Sequence, residues 1–193
     1  MKTIIIVNGK GGSGKDELIR HWPEKYMNVS SIDPIKAVAK SLGWDGKKDK
    51  KGRLFLSNLK KLADENSNFS TNYLMEQVKK FYAQKDAETM FVHIREPENI
   101  KLFKERVEKM TPMGMDVKVL TVLVVAKWSD KEFGNPSDDN VMNYSYDIIF
   151  KNIAGIEESS RMFYEGITQK TKKNNSKRIQ FSDFEYQFLL SIL

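Results

Sequence analysis

A short apolar run, Ile4 to Val7, passes directly into Gly9-Lys10-Gly11-Gly12-Ser13-Gly14-Lys15, and a helical pattern opens at Leu18 and Ile19. The segment Gly9 to Lys15 matches the first seven positions of G-x-x-x-x-G-K-[ST], in the strand-to-helix setting that gives the pattern its meaning. Glycines let the backbone curl until its N–H groups face an anion. The amino end of the next helix adds positive potential, and the lysine reaches the outer phosphates of a nucleoside triphosphate. An apolar strand of this kind is buried between two layers of helices, so the loop and its strand predict an α/β fold with a parallel sheet.

The rest of the chain keeps that rhythm. A second strand fits Val29 to Ile32, and Asp33-Pro34 reads as a helix start with Asp as cap, the helix ending at Gly43. Residues 44–52, rich in Lys, Asp and Gly, read as a surface loop. Phe55, Leu59 and Leu62, then Leu74, Val78, Phe81 and Tyr82, recur at helical spacing on either side of a polar break at 66–70. Thr89 to Ile94 and Val117 to Ala126 are strand-like, with a helix from Pro97 between them carrying Ile100, Phe103, Val107 and Met110. Tyr146 to Phe150 makes the last strand and Ile156 to Ile167 a closing helix. The expectation is five parallel strands sandwiched by helices over residues 1–167, with a helical excursion at 44–84 and a lid-like loop at 127–143. Residues 168–193 read as a basic linker and a terminal helix, opened by the capping box Ser182-Asp183-Phe184-Glu185.

Composition removes several alternatives. A chain of 193 residues suits one such domain. It has no cysteine, which excludes disulfides and thiolate zinc sites, and only His21 and His93 could offer imidazole. No leader pattern opens the chain and no apolar run reaches spanning length, so a cytoplasmic protein without membrane contact is expected. The net charge of +6 suits anionic partners. The basic tail lacks interleaved aromatics and no helix carries a reading motif, so nucleic acid is not an expected partner. Nothing in the residues sets an oligomeric state.

The eighth loop position carries Asp16 where a Ser or Thr hydroxyl normally ligates magnesium. A carboxylate can hold a hydrated magnesium ion directly or through water, or it can serve as a first-turn acid of the helix. Arg95, after a central strand, is placed to grip phosphate with its guanidinium fork. Lys36 and Arg53 are candidates of the same kind. His93 reads as an acid, a base or an acceptor contact, or as a strand-end histidine satisfied by a carbonyl. Trp44, Phe55, Phe69 and Tyr73 are the rings of the excursion able to stack on a base, with the spacing of Phe55 pointing inward to the core.

Ser13-Gly14-Lys15-Asp16 resembles the S-G-K-D loop of phage-type deoxynucleoside monophosphate kinases and of animal-type phosphomevalonate kinases. Asp33-Pro34-Ile35-Lys36-Ala37 is similar to the segment opening the acceptor-binding helix of that group, and His93-Ile94-Arg95 stands where the group usually has Asp, a spacer and Arg. Ser137-Asp138-Asp139 and then Tyr146-Asp147-Ile148-Ile149-Phe150-Lys151-Asn152 are similar to its lid acid and its last strand with a closing asparagine. The matches are dispersed over most of residues 3–167.

The resemblance implies a P-loop NTPase fold and transfer of the γ-phosphoryl group of ATP, with Mg2+, onto a phosphorylated small acceptor such as a (deoxy)nucleoside monophosphate. It implies a nucleotide held by Gly9, Lys10, Gly11, Gly12, Ser13, Gly14, Lys15, Asp16 and Asn152, with Asp16 toward the metal. The acceptor is then met by Asp33, Lys36, Arg53 and Arg95, the catalytic charges are Lys15 and Arg95, and Lys127 and Lys131 belong to the lid. Asp33 is equally explained as a cap and Asn152 as a turn residue. The segment 127–143 has no arginine, which keeps a second reading open: a nucleotide-binding module, a sensor or assembly factor, without efficient transfer.

Overall fold

The computed structural model describes residues 1–47, 49–126 and 140–172. Strands β1 (Lys2–Asn8), β2 (Tyr26–Ser30), β3 (Thr89–His93), β4 (Val117–Val125) and β5 (Ile148–Lys151) form one parallel sheet in the order β2-β3-β1-β4-β5. Around it lie α1 (Lys15–Arg20), α2 (Asp33–Ser41), α3 (Lys50–Ser67), α4 (Phe69–Ala83), α5 (Pro97–Met110) and α6 (Ile156–Lys172). This is the expected α/β fold, five parallel strands sandwiched by helices.

The pleat of β1 explains why both faces are covered. Successive side chains point to opposite sides, so Ile4 and Ile6 enter one core while Ile5 and Val7 enter the other, all at most 1% exposed. On the first face they meet Leu74, Val78 and Phe81 of α4 and Ile100, Phe103 and Val107 of α5. On the second they meet Leu18 and Ile19 of α1 and Phe163 and Ile167 of α6, with Trp22 edge-on to Phe91 at 5.1 Å between ring centres. A smaller core of Ile35, Ala39 and Leu56 joins α2 to α3.

Strand order places the functional crevice. From β1 the chain crosses to β2 on one side of the sheet, and from β3 it crosses to β4 on the other. The direction of winding therefore reverses between the neighbours β1 and β3, and the crevice beyond the carboxyl ends of such strands is where α/β sheets bind ligands. Register sets Val7 opposite His93, and His93 opposite Ser30 on the next strand.

Several local expectations are corrected. The second strand is Tyr26–Ser30 rather than Val29 to Ile32. Asp33 is the first residue of α2, not its cap; its carboxylate turns back to accept from the Ser30 backbone N–H at 2.8 Å. Gly52 lies inside α3, whose cap Asp49 accepts from its N–H, so the surface loop is shorter than 44–52. Asn68, at φ 51°, alone separates α3 from α4, and α6 runs five residues past Ile167 to Lys172. The terminal helix expected near Ser182 lies outside the described residues.

The largest correction is the phase of α3. Phe55 is 37% and Leu62 67% exposed, while Gly52, Leu56 and Lys60 face inward. The inward stripe contains a lysine, and a count of apolar spacing passes over it. Lys60 is tolerated there because its ammonium is neutralised by Asp64 at 2.7 Å and Glu96 at 3.1 Å.

Candidate functional site: the crevice beyond the phosphate loop

The loop begins at Asn8, which is 1% exposed and ties three elements together. Its side-chain oxygen accepts from the Gly9 N–H at 2.8 Å, and its amide donates to the Arg95 carbonyl and to the Tyr146 hydroxyl at 3.0 and 2.7 Å. Burial pushes the Tyr146 phenol up to about 12, so it stays protonated and donates to the Val141 carbonyl. Beyond Asn8 the backbone adopts conformations that only glycine enters readily, with φ of +151°, +84° and +83° at Gly9, Gly12 and Gly14. Those turns set the curled path of the loop from Gly9 to Gly14.

The loop is held from below by Asn152, which follows β5. Its amide, 4% exposed, donates to the Ser13 carbonyl at 3.0 Å, and a Cβ on Gly14 would overlap that amide. Asn152 therefore sits beneath the loop. Asn152→Ala strands a buried carbonyl, an effect of about 1–2 kcal/mol. Urea denaturation should show that loss, accompanied by weaker nucleotide binding.

A cavity of about 420 Å³ opens from the loop across the carboxyl edge of β1, β3 and β2. Gly11, Gly12, Lys15 and Asp16 form one end; Asp33, Lys36, Arg53 and Arg95 all line the same space. The structure thus brings together residues spread from 11 to 95 in sequence. Asp33 pairs with Lys36 at 3.1 Å, so that lysine is oriented by its own helix. Gly9, Lys10, Ser13, Gly14 and Asn152 do not line this cavity but shape or support the loop that does. Lys127, Lys131 and Ser137-Asp138-Asp139 lie outside the described residues.

The four aromatic residues named for stacking are absent from the cavity wall. Trp44 and Phe69 pack against the α2–α3 core, Tyr73 packs against the first face of the sheet, and Phe55 is exposed rather than core. The wall is instead mixed, with Asn28, Ser30, Ser31, Ser57 and the paired Lys60 and Glu96 set among Val7, Val29, Ile32 and Leu56. None of these polar residues stands out in the sequence as an acceptor contact. Lys60 alone carried a signal, a charge in phase with Leu56.

His93 ends β3 with its side chain 14% exposed. Its Nε2 lies 2.8 Å from Asn28 Oδ1, and its Nδ1 lies 3.9 Å from Asp16 Oδ1. Burial holds the imidazole down to about 4 against the pull of Asp16, helped by the Lys15 and Arg95 charges. The ring is therefore neutral at physiological pH. With Asn28 as acceptor, Nε2 carries the proton and Nδ1 a lone pair. The partner of Nε2 is a side-chain amide from the adjacent strand rather than a carbonyl of the backbone.

No protein-family model matches the chain, and no curated protein matches it in sequence. Among solved structures it is similar to TT1252 from Thermus thermophilus, with 18% identity, a TM-score of 0.47, and coverage of 89% of this chain and 99% of that one. It is also similar to a Cys556Ala mutant of the APS kinase CysC of Mycobacterium tuberculosis, with 11% identity, a TM-score of 0.43, and coverage of 86% and 97%.

Proposed function

We propose that this chain transfers the γ-phosphoryl group of ATP to the phosphate of a small phosphorylated acceptor of the (deoxy)nucleoside monophosphate class. The observation that carries the reading is the convergence of Lys15, Lys36, Arg53 and Arg95 on one crevice whose end is the glycine loop. A triphosphate laid on the loop directs its terminal phosphorus into that crevice. An acceptor phosphate held by the arginines and lysines meets it there.

The chemistry asks little beyond position and charge. An acceptor phosphate oxygen attacks the γ-phosphorus, the bond to the β,γ-bridging oxygen breaks, and ADP leaves with that electron pair. The nucleophile is already anionic, so no general base is required, and the residues supply proximity and neutralisation. The polar groups of Asn28, Ser30, Ser31 and Ser57 are what the wall offers the uncharged part of the acceptor.

A divalent cation fits the residues present. The Asp16 carboxylate lines the crevice with its side chain 74% exposed. Magnesium on a nucleotide takes one or two carboxylates and completes its shell with phosphates and water. Asp16 would hold such an ion, whose charge neutralises the β- and γ-oxygens when it is bound.

Purified protein given ATP and a panel of phosphorylated acceptors should form ADP only when an accepted monophosphate is present. Arg95→Ala is expected to raise the acceptor KM by about 10- to 100-fold, the loss of one charge-assisted phosphate contact, with the KM for ATP within about twofold. Acceptor kinetics unchanged in that variant would remove Arg95 from the site. His93, standing where the kinases that the sequence resembles usually have an acid, favours the second reading, a nucleotide-binding module; its signature is tight ATP binding with ADP formation indifferent to every acceptor.

A further inference from the structure

We infer that Asn8 is a positioning residue for phosphoryl transfer: its side-chain amide holds the phosphate loop and the Arg95 backbone at one fixed separation, so that donor and acceptor phosphates meet at reacting distance. The inference rests on the reading of the crevice as a kinase site and adds to it a residue that acts through others.

The sheet has a gap at this point. Register between β1 and β3 ends at Val7 and His93, while β1 and β4 remain paired through Asn8 and Leu123. The phosphate loop therefore leaves β1 with its ladder intact on one side only, and Arg95 stands two residues past the last pair on the other. The side chain of Asn8 bridges the opening. Its Nδ2 donates to the Arg95 carbonyl at 3.0 Å and its Oδ1 accepts from the Gly9 N–H at 2.8 Å, so one planar amide joins the first glycine of the loop to the residue proposed to grip the acceptor phosphate.

The chemistry of the partners fixes that amide. The Gly9 N–H can only donate and the Arg95 carbonyl can only accept, so a single orientation satisfies both. The second hydrogen on Nδ2 goes to the Tyr146 hydroxyl at 2.7 Å, and this hydroxyl donates onward to the carbonyl of Val141, itself fully buried, at 2.7 Å. Asn8 borders the crevice, yet both amide hydrogens are engaged within the protein and the residue is 1% exposed. A buried polar network with every member satisfied is rigid. Rigidity is what a transfer between two bound phosphates needs, because reacting atoms misplaced by about 1 Å cost on the order of 10² in rate even when each substrate still binds.

The test separates positioning from binding. Wild-type, Asn8→Ala, Asn8→Asp and Tyr146→Phe proteins are compared well below the melting point of each, with ATP, magnesium and the nucleoside monophosphate that the wild type phosphorylates best. In Asn8→Ala kcat is expected to fall about 30- to 100-fold. The Kd of a non-hydrolysable ATP analogue and that of the monophosphate, each measured alone by calorimetry, should stay within about threefold, a split that general loosening of the fold does not produce. Asn8→Asp, at a pH where the new carboxyl is ionised, keeps the shape and the acceptor for Gly9 but has no N–H for Arg95. It should lose kcat as Asn8→Ala does, and it carries the test if Asn8→Ala does not fold. Tyr146→Phe leaves both ties of the amide in place and should lose less than about tenfold. A loss confined to ATP binding, or a kcat within about twofold of wild type in Asn8→Asp, overturns the positioning role and leaves the kinase reading standing. A wild-type protein that forms ADP but no nucleoside diphosphate overturns both.

Discussion

Lys15→Ala is expected to reduce ADP formation by about 10²- to 10³-fold, the scale on which one preorganised charge at a developing anion acts. Lys15 is the first residue of α1, it follows Gly14 directly, and it lines the crevice from the loop side. In the proposed reaction its positive charge offsets the charge that develops as the γ-phosphoryl group separates from ADP. Lys15→Arg keeps the charge but replaces a compact ammonium by a broad planar fork, so it should restore only part of the rate. Both variants should unfold at the wild-type urea midpoint, because the side chain is not part of either sheet core. A loss of rate accompanied by a matching loss of stability would count against a direct role.

The second large effect is on stability. Gly9→Ala is expected to cost about 2–4 kcal/mol, combining a backbone region nearly closed to side chains with a steric conflict inside a packed core. At φ +151° a Cβ would stand 2.5 Å from the Val124 carbonyl oxygen and 2.8 Å from Ser13 Oγ. Val124 is in the interior of β4 and fully buried, so its backbone cannot give way. Gly12→Ala is the internal control: φ is +84°, yet nothing lies within 4 Å of the added carbon. Its cost should be limited to the left-handed backbone term of about 1–2 kcal/mol. Denaturant midpoints for the two variants that do not differ would contradict the close approach of Gly9 to β4.

The contrast between these glycines shows what a sequence can and cannot disclose. The pattern Gly9 to Lys15 announces a phosphate cradle because the spacing itself is the signal. It does not say that Gly9 is pinned by β4 whereas Gly12 faces open space, since that depends on a strand more than a hundred residues away. The sheet was legible for a similar reason. Strands such as Ile4 to Val7 and the stretch Leu120 to Val124 are buried on both faces and read as runs that are almost wholly apolar, with Thr121 the one polar residue.

The helical excursion was legible in outline and misread in phase. Its inward face carries Lys60, and only the Asp64 and Glu96 carboxylates make that burial acceptable. Glu96 lies at the start of α5, so the compensation belongs to the folded chain and not to the local pattern. The same limit applies to the site. Lys15, Asp16, Lys36, Arg53 and Arg95 have residue types that advertise phosphate chemistry, and the fold places all five on one cavity. Asn28 carries no such advertisement. It matters because its register partner is Phe91, two residues before His93 on the same face, and from there its oxygen reaches His93 Nε2, 65 residues away in sequence.

Asn8 illustrates an intermediate case. An asparagine between an apolar strand and a glycine loop is visible in the sequence, and a buried amide there must find partners. Which partners it finds, the Arg95 carbonyl and the Tyr146 hydroxyl, follows from the order of strands. Through them the loop, the end of β3 and the approach to β5 share one hydrogen-bonded junction.

The central claim is that one crevice holds a donor and an acceptor phosphate for direct transfer between them. ³¹P nuclear magnetic resonance of the protein with ATP, a divalent cation and a panel of nucleoside monophosphates tests it most directly. The account predicts the two resonances of a new nucleoside diphosphate, growing in step with ADP for an accepted monophosphate and lost in Lys15→Ala. ATP consumed into ADP and inorganic phosphate alone, with every monophosphate returned unchanged, would contradict it.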